Sequence, residues 1–140
     1  ENLMSDSTLG HTRTSEYASY IMEAMCTDTP ICIGGNVLNS GHLIPDFPEQ
    51  ACVEVPCLVD GAGIHPTYVG SLPPVLAAMN MTNINVQLLT IEAARTRKKE
   101  DIMRAALLDP HTAAELSPDD IEKMVDEMIE AHGDFMSMYQ

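Results

Sequence analysis

"VEVPCLVDGAGIHPTYVG", Val53–Gly70, is the stretch from which the fold can be read outward. Val53 and Val55 alternate with Glu54, the period of a strand with one face buried. "DGAG" at Asp60–Gly63 is a turn signal, and "IHPTYVG" supplies a returning strand, so the stretch predicts a β-hairpin. Pro56 has no N–H to give to a ladder, which predicts a strand that runs at a sheet edge or bends there. Glu54, Cys57 and His65 also fall within a dozen positions. The hairpin is therefore either a reaction centre or a structural corner on which one leans.

Upstream, residues 1–13 are polar and predict a lead-in loop. A helix is expected from Thr14 or Ser15, with Tyr17, Tyr20, Ile21, Ala24 and Met25 at helical spacing. It must stop before Pro30. "ICIGGNV" (Ile31–Val37) reads as a strand, and "NSGHLIPDFPEQ" after it as loop.

Downstream of the hairpin the period changes. Pro73 and Pro74 suit the first turn of a long helix reaching to about Arg97. Asn80, Asn83 and Asn85 are poor helix formers in its middle, and imply a kink or polar contacts the helix must make. "RKKED" (Arg97–Asp101) reads as a solvated helix end or turn, and "DIMRAALL" as helix stopping at Asp109–Pro110. In "LSPDDIEKMVDEMIEAHG", Ser117 caps, Pro118 takes the first position and Gly133 closes. Ile121, Met124, Val125, Met128 and Ile129 form its apolar stripe. The plan is α+β: a small β element followed by a mostly helical C-terminal half. Residues 1–140 are read as a single domain, with lead-in and first helix at 1–29, β element at 30–70 and helical part at 73–134.

The chain is 140 residues long, enough for a core without staples. It is 45% hydrophobic but has no Trp and only 4% aromatic residues, so the core falls to Met, Leu, Ile, Val and Ala, with ten methionines to fill gaps. A net charge of −14 excludes a nucleic-acid partner and disfavours an anionic membrane surface. Cys26, Cys32, Cys52 and Cys57 have no zinc-site spacing and read as buried thiols of a cytoplasmic protein. No apolar run is long enough to span a bilayer. The start "ENLMSDS", without an initiator Met, suggests a piece of something longer.

Candidate chemistry is thin when the residues are taken alone. His11, Glu16 and Tyr17 cluster in "GHTRTSEYASY", where a Glu or Tyr could act as a general base, but the spacing favours Glu16 as a first-turn carboxylate and Tyr17 as a half-buried core residue. Asn36 and Asn39 follow Gly34–Gly35, a pattern unlike a phosphate-binding fingerprint. His111 and His132 read as helix-end residues. His65 precedes Pro66 and is either a structural histidine or a residue at a pocket rim. A separate Cys/His metal-binding domain and a stand-alone hydrolase are the remaining, weaker options.

Four segments together resemble the C-terminal part of the family 4 glycoside hydrolases, on the α-galactosidase and α-galacturonidase side. They are "GHTRTSEYASYI", "NVLNSGHLIPDFPEQACVEVPCLVDGAGIHPTYVGSLPP", "TNINVQLLTIEAA" and "AALLDPHTAAELSPDDIEKMVDEMIEAH". The resemblance runs from about Gly10 to His132 and rests on many separated Gly, Pro and Asn positions. It implies NAD-dependent cleavage of α-galactosides or α-galacturonides: oxidation at C3, a divalent metal such as Mn²⁺ at the resulting carbonyl, loss of the C2 proton, elimination, and return of water and hydride. Members are much longer, and their nucleotide-binding unit and their metal, acid and base residues have no counterpart here. The resemblance thus implies that the 140 residues are inactive alone, bind no NAD or Mn²⁺ themselves, close one side of the sugar pocket and join subunits into a homo-oligomer. His11, Glu16, Tyr17, Asn36 and His65 are the residues it places at the pocket. The alternative is a structural or oligomerisation module without chemistry.

Overall fold

The computed structural model describes residues 13–140. Among them lie a three-stranded sheet and five α-helices, the α+β class expected from the sequence. The helices are α1 (Ala18–Thr27), α2 (Pro74–Thr96), α3 (Lys99–Leu108), α4 (Pro110–Glu115) and α5 (Pro118–His132). The strands are β1 (Ile31–Leu38), β2 (Cys52–Asp60) and β3 (Gly63–Pro66), in sheet order β1-β2-β3. Two compact units divide the chain. One holds Pro56–Thr67 with the described residues up to Gly35, and the other holds Asn36–Val55 with Tyr68–Gln140.

The hairpin is present. β2 and β3 pair antiparallel with Leu58 opposite His65 and Val59 opposite Ile64. Val53, Val55, Cys57 and Val59 are buried and the residues between them exposed, the period-two pattern of a strand with one dry face. The edge position expected from Pro56 is not found, because β2 is the central strand. The geometry explains why proline is tolerated there. The Pro56 carbonyl accepts the Thr67 N–H at 2.9 Å and the Thr67 hydroxyl at 2.7 Å. Its missing donor falls just past the last residue of β3, where the ladder ends anyway.

In the first unit, α1 begins at Ala18, later than Thr14 or Ser15, and Tyr17 takes the cap position without a side-chain cap. Only Ala24 of α1 is buried, and Tyr17, Tyr20 and Met25 stand exposed.

In the second unit, Asn39 organises the loop after β1. Its amide donates to the carbonyls of Ile44 and Phe47 at 2.9 Å and accepts the Ile44 N–H at 2.9 Å. The side chain is fully buried, so each of these bonds replaces water rather than competing with it. α2 runs unbroken through its three asparagines for 23 residues and ends at Arg97, whose φ of 57° is left-handed. α2 packs on α3, and α3 on α5. Asp101 is not solvated as its charged neighbourhood suggests. It is buried, accepting from the Thr96 hydroxyl and Arg104 at 2.7 Å each and so tying the start of α3 to the end of α2. Asp109 does not simply end a helix: it caps α4 by accepting the Thr112 N–H at 2.7 Å, with Pro110 next. α5 follows its sequence signature, with Ser117 capping the Asp120 N–H and Gly133 at the C-cap.

The buried apolar side chains are Val, Ala and Ile with Phe47 and Cys57, and no methionine is among them. Met22, Met25, Met79, Met128 and Met138 are exposed, so the expected Met-filled core is absent among the described residues. Cys57 is buried, but Cys26, Cys32 and Cys52 are exposed, against the expectation of four buried thiols.

Candidate functional site

The hairpin tip belongs to the first unit. Asp60 Oδ1 accepts the Ala62 N–H at 2.8 Å and lies 3.1 Å from His65 Nε2. The Ala62 N–H first, and the His65 ring second, hold the Asp60 carboxyl below the usual aspartate range. Asp28, left-handed at the end of α1, accepts the Gly61 N–H at 2.8 Å. A Cβ on Gly61 would stand 2.7 Å from that same Asp28 oxygen, so only glycine permits this approach. His65 is thus oriented by a carboxylate, as a general base would be, but its side chain is half exposed. An exposed pair of this kind contributes little to stability.

Of the other residues expected at a pocket, Glu16 and Tyr17 belong to the first unit and Asn36 to the second. Glu16 precedes α1, and the Tyr17 carbonyl accepts the Ile21 N–H as the helix starts. Asn36 is exposed on β1, and His11 lies outside the described residues. Within the first unit the His65 ring is paired with Asp60, not with Glu16 or Tyr17. A neighbour the sequence reading passes over is Arg13. It stacks 3.4 Å from the Tyr20 ring centre and pairs with Glu23 at 2.7 Å, beside a cavity of about 390 Å³. Tyr20 and Glu23, three apart on α1, with an arginine just upstream of the helix are the signal that could have found it.

A second cavity, of about 380 Å³, lies within the second unit between β2 and α2. Ile44, Phe47, Val53 and Ile84 give it a buried apolar floor, and Val69 and Leu72 an apolar side. Its polar groups are Glu54 on β2 and Asn80, Asn83 and Gln87 on α2. Helix spacing puts these three amides and Ile84 on one face, at i, i+3, i+4 and i+7. The Asn80 amide nitrogen donates to the Leu76 carbonyl at 2.9 Å, which leaves its Oδ1 as an acceptor.

Neither cofactor implied by the resemblance fits the described residues. No group of three His, Cys, Asp or Glu side chains among them could hold a metal ion. Gly34 and Gly35 lie inside β1, and β1 leads into loop rather than a helix N-terminus, so no dinucleotide cradle forms there.

Comparison with known proteins settles the family. Residues 2–112 match the model of the family 4 glycosyl hydrolase C-terminal domain. The chain belongs to that family. Over all 140 residues it is 52% identical to an α-galactosidase of Bacillus subtilis (strain 168), and it spans 32% of that protein. A 6-phospho-α-glucosidase from gut microorganisms, solved with NAD and glucose-6-phosphate, superposes with a TM-score of 0.72 at 25% identity, over 86% of this chain and 26% of that one. A second such structure, with NAD and Mn²⁺, gives a TM-score of 0.69 at 20% identity over the same shares and shows the common fold. The chain thus spans about a third of the length of that α-galactosidase and about a quarter of those solved structures.

Proposed function

We propose that these residues form the C-terminal, pocket-closing and subunit-contact domain of an NAD- and Mn²⁺-dependent glycosidase acting on α-galactosides or α-galacturonides. The observation that carries this is 52% identity to an α-galactosidase across the entire chain. The NAD- and Mn²⁺-bound neighbours of the same fold support the cofactors. The bound NAD and metal would supply hydride transfer and charge stabilisation from residues outside the described set. This domain supplies walls and orientation. Glu16, Tyr17, Asn36 and His65 remain our candidates for facing the sugar, together with His11. We read residues 1–140 as one domain of a cytoplasmic enzyme; no described helix is long and apolar enough to cross a membrane.

Self-association is favoured by a specific observation. Met79, Val75, Met128 and Phe135 expose large apolar surface on the helical part, with Phe135 85% exposed. Both readings are tested by expressing the full-length enzyme. With NAD, Mn²⁺ and a reductant it should hydrolyse an aryl α-galactoside and sediment as an oligomer, while the 140-residue chain alone should show no turnover. Turnover by the short chain above background would overturn its assigned role. A full-length enzyme that cleaves only 6-phosphorylated glycosides would overturn the substrate.

A further inference from the structure

We propose that Asp28 is a positioning residue: its clasp on the hairpin tip sets the angle of α1, and with it the presentation of Glu16 and Tyr17 to the sugar. The inference rests on the reading above, in which these two residues face the sugar, and deepens it by naming what aims them.

Three observations converge. The first is a conflict of local chemistry at Asp28. It follows the last residue of α1 with φ 55° and ψ 33°, a left-handed position that glycine or asparagine fills with least strain. Its carboxylate also stands at the negative end of the helix dipole, where a cation is favoured. An aspartate there is unfavourable to α1 on both counts. Local rules are broken where a contact elsewhere compensates.

The second is the matching choice at Gly61. A left-handed φ does not explain this glycine, since the described glycines with positive φ are Gly41, Gly63, Gly70 and Gly133. Asp28 does explain it. Outside its chain neighbours, the three atoms nearest a Cβ on Gly61 would be Asp28 Oδ1 at 2.7 Å, Cγ at 3.1 Å and Cβ at 3.2 Å. Without that Cβ, the Gly61 N–H donates to Asp28 Oδ1 at 2.8 Å. The next N–H of the turn, that of Ala62, donates to Asp60 at 2.8 Å, so two carboxylates hold successive amides of the tip.

The third is the thin anchorage of α1. Of its ten residues, only Ala24 is buried among the described residues. A helix seated on one small side chain can pivot, so a polar contact at its end has leverage. At ~1.5 Å per residue α1 is about 15 Å long, and a tilt of about 4° at Asp28 moves Tyr17 by about 1 Å. That carries a side chain out of hydrogen-bond range of a sugar hydroxyl.

The test uses the full-length enzyme carrying D28G, D28N, G61A or D28G with G61A. D28G gives the left-handed position its preferred residue and removes the clasp, so its melting temperature should stay close to wild type. Its KM for an aryl α-galactoside should rise roughly tenfold, the loss of about one hydrogen bond to the sugar, with kcat little changed. The α1 amides should exchange faster with deuterium, while those of α5 should not. G61A should behave as D28G does. D28N keeps an oxygen for the Gly61 N–H and suits a left-handed φ, so it should match wild type. The double variant should be no worse than D28G, because the added Cβ then meets no Asp28 side chain. Unchanged KM in an active D28G enzyme overturns the positioning role. So does a KM rise that only tracks a falling melting temperature across the variants, which would make Asp28 a fold-holding residue. Additive losses in the double variant overturn the clasp, as does a D28N enzyme as impaired as D28G. Wild-type enzyme that cleaves no α-galactoside overturns the functional reading and the positioning role with it. The clasp itself is judged separately in that case, since α1 exchange is read without substrate.

Discussion

Strand β2 and helix α2 are written in the same apolar alphabet and use it differently. In β2, alternate residues from Val53 to Val59 are buried and those between are exposed. In α2, Leu76, Met79, Met81, Ile84, Leu88 and Ile91 give a broad apolar surface, yet of the whole helix only Ile84 and Ala93 are buried. A strand has two faces, so an apolar alternation leaves one way to lie. A helix presents a surface all round, and an apolar residue on it can serve a core, a neighbouring subunit or a ligand. β2 is therefore specified by its own sequence, whereas α2 leaves most of its apolar and amide groups exposed among the described residues.

The sharpest way to break that comparison is a charge on the buried face of β2. V59D places an unpaired carboxylate at a fully buried position and should cost more than ~4 kcal/mol, leaving little folded full-length protein by circular dichroism. A soluble variant with native melting behaviour would show that the dry face is not dry. Next in size is N39A, which strands the buried backbone groups that Asn39 serves in the loop leading into β2. We expect a loss of ~3 kcal/mol, read as a lowered urea midpoint at unchanged slope. An equal loss in N39D, which keeps an acceptor for Ile44 but loses the donors, would assign the cost to the unpaired carbonyls. On α2 the sign reverses. N85A, exposed and outside the cavity between β2 and α2, should stabilise by up to ~0.7 kcal/mol, and a loss would mean that Asn85 has a partner the helix was built to meet.

What could be read from the chain follows the same division. The turn at Asp60–Gly63, the alternation in β2 and the caps Ser117 and Gly133 are local chemistry, and they stand where the sequence puts them. Asp109–Pro110 was legible too, since Asp followed by Pro is a helix start as much as a stop, but the preceding helix masked it. The methionines were not legible. Hydrophobicity says that a side chain prefers to be covered, not by what, and Met22, Met25, Met79, Met128 and Met138 are exposed among the described residues. Asp101 looked solvated because its neighbours in sequence are charged, while its partners Thr96 and Arg104 meet it only once α2 and α3 are formed. The cavity between β2 and α2 is illegible for the same reason. Glu54 and Gln87 share it only after tertiary packing, and the misplaced-looking asparagines were its sole trace in the sequence.

The smallest predicted effect compares the two regions by charge. Asp60 at the hairpin and Asp101 on α3 both have carboxyls held below the usual aspartate range, Asp60 chiefly by the Ala62 N–H and Asp101 chiefly by the Thr96 hydroxyl. A depressed folded-state value means that protonation is harder in the folded protein than in the unfolded chain. The stabilisation is then complete above the unfolded value, about 3.9, and is lost as pH falls through the lower folded values. D60N and D101N should each flatten the acid side of the stability curve below about pH 4 and leave its shape near neutrality unchanged. The two should separate with salt. The Asp60–His65 pair is exposed, so its part of the acid slope should shrink in ~1 M NaCl, where charges beyond about 3 Å are screened. Asp101 is buried against a hydroxyl and a guanidinium, and its part should persist. Urea midpoints measured from about pH 6 down to pH 2 at low and high salt would decide it. Equal salt sensitivity in the two variants would mean that Asp101 is as open to solvent as the hairpin tip, and the contrast between a surface corner and a buried helical junction would fail.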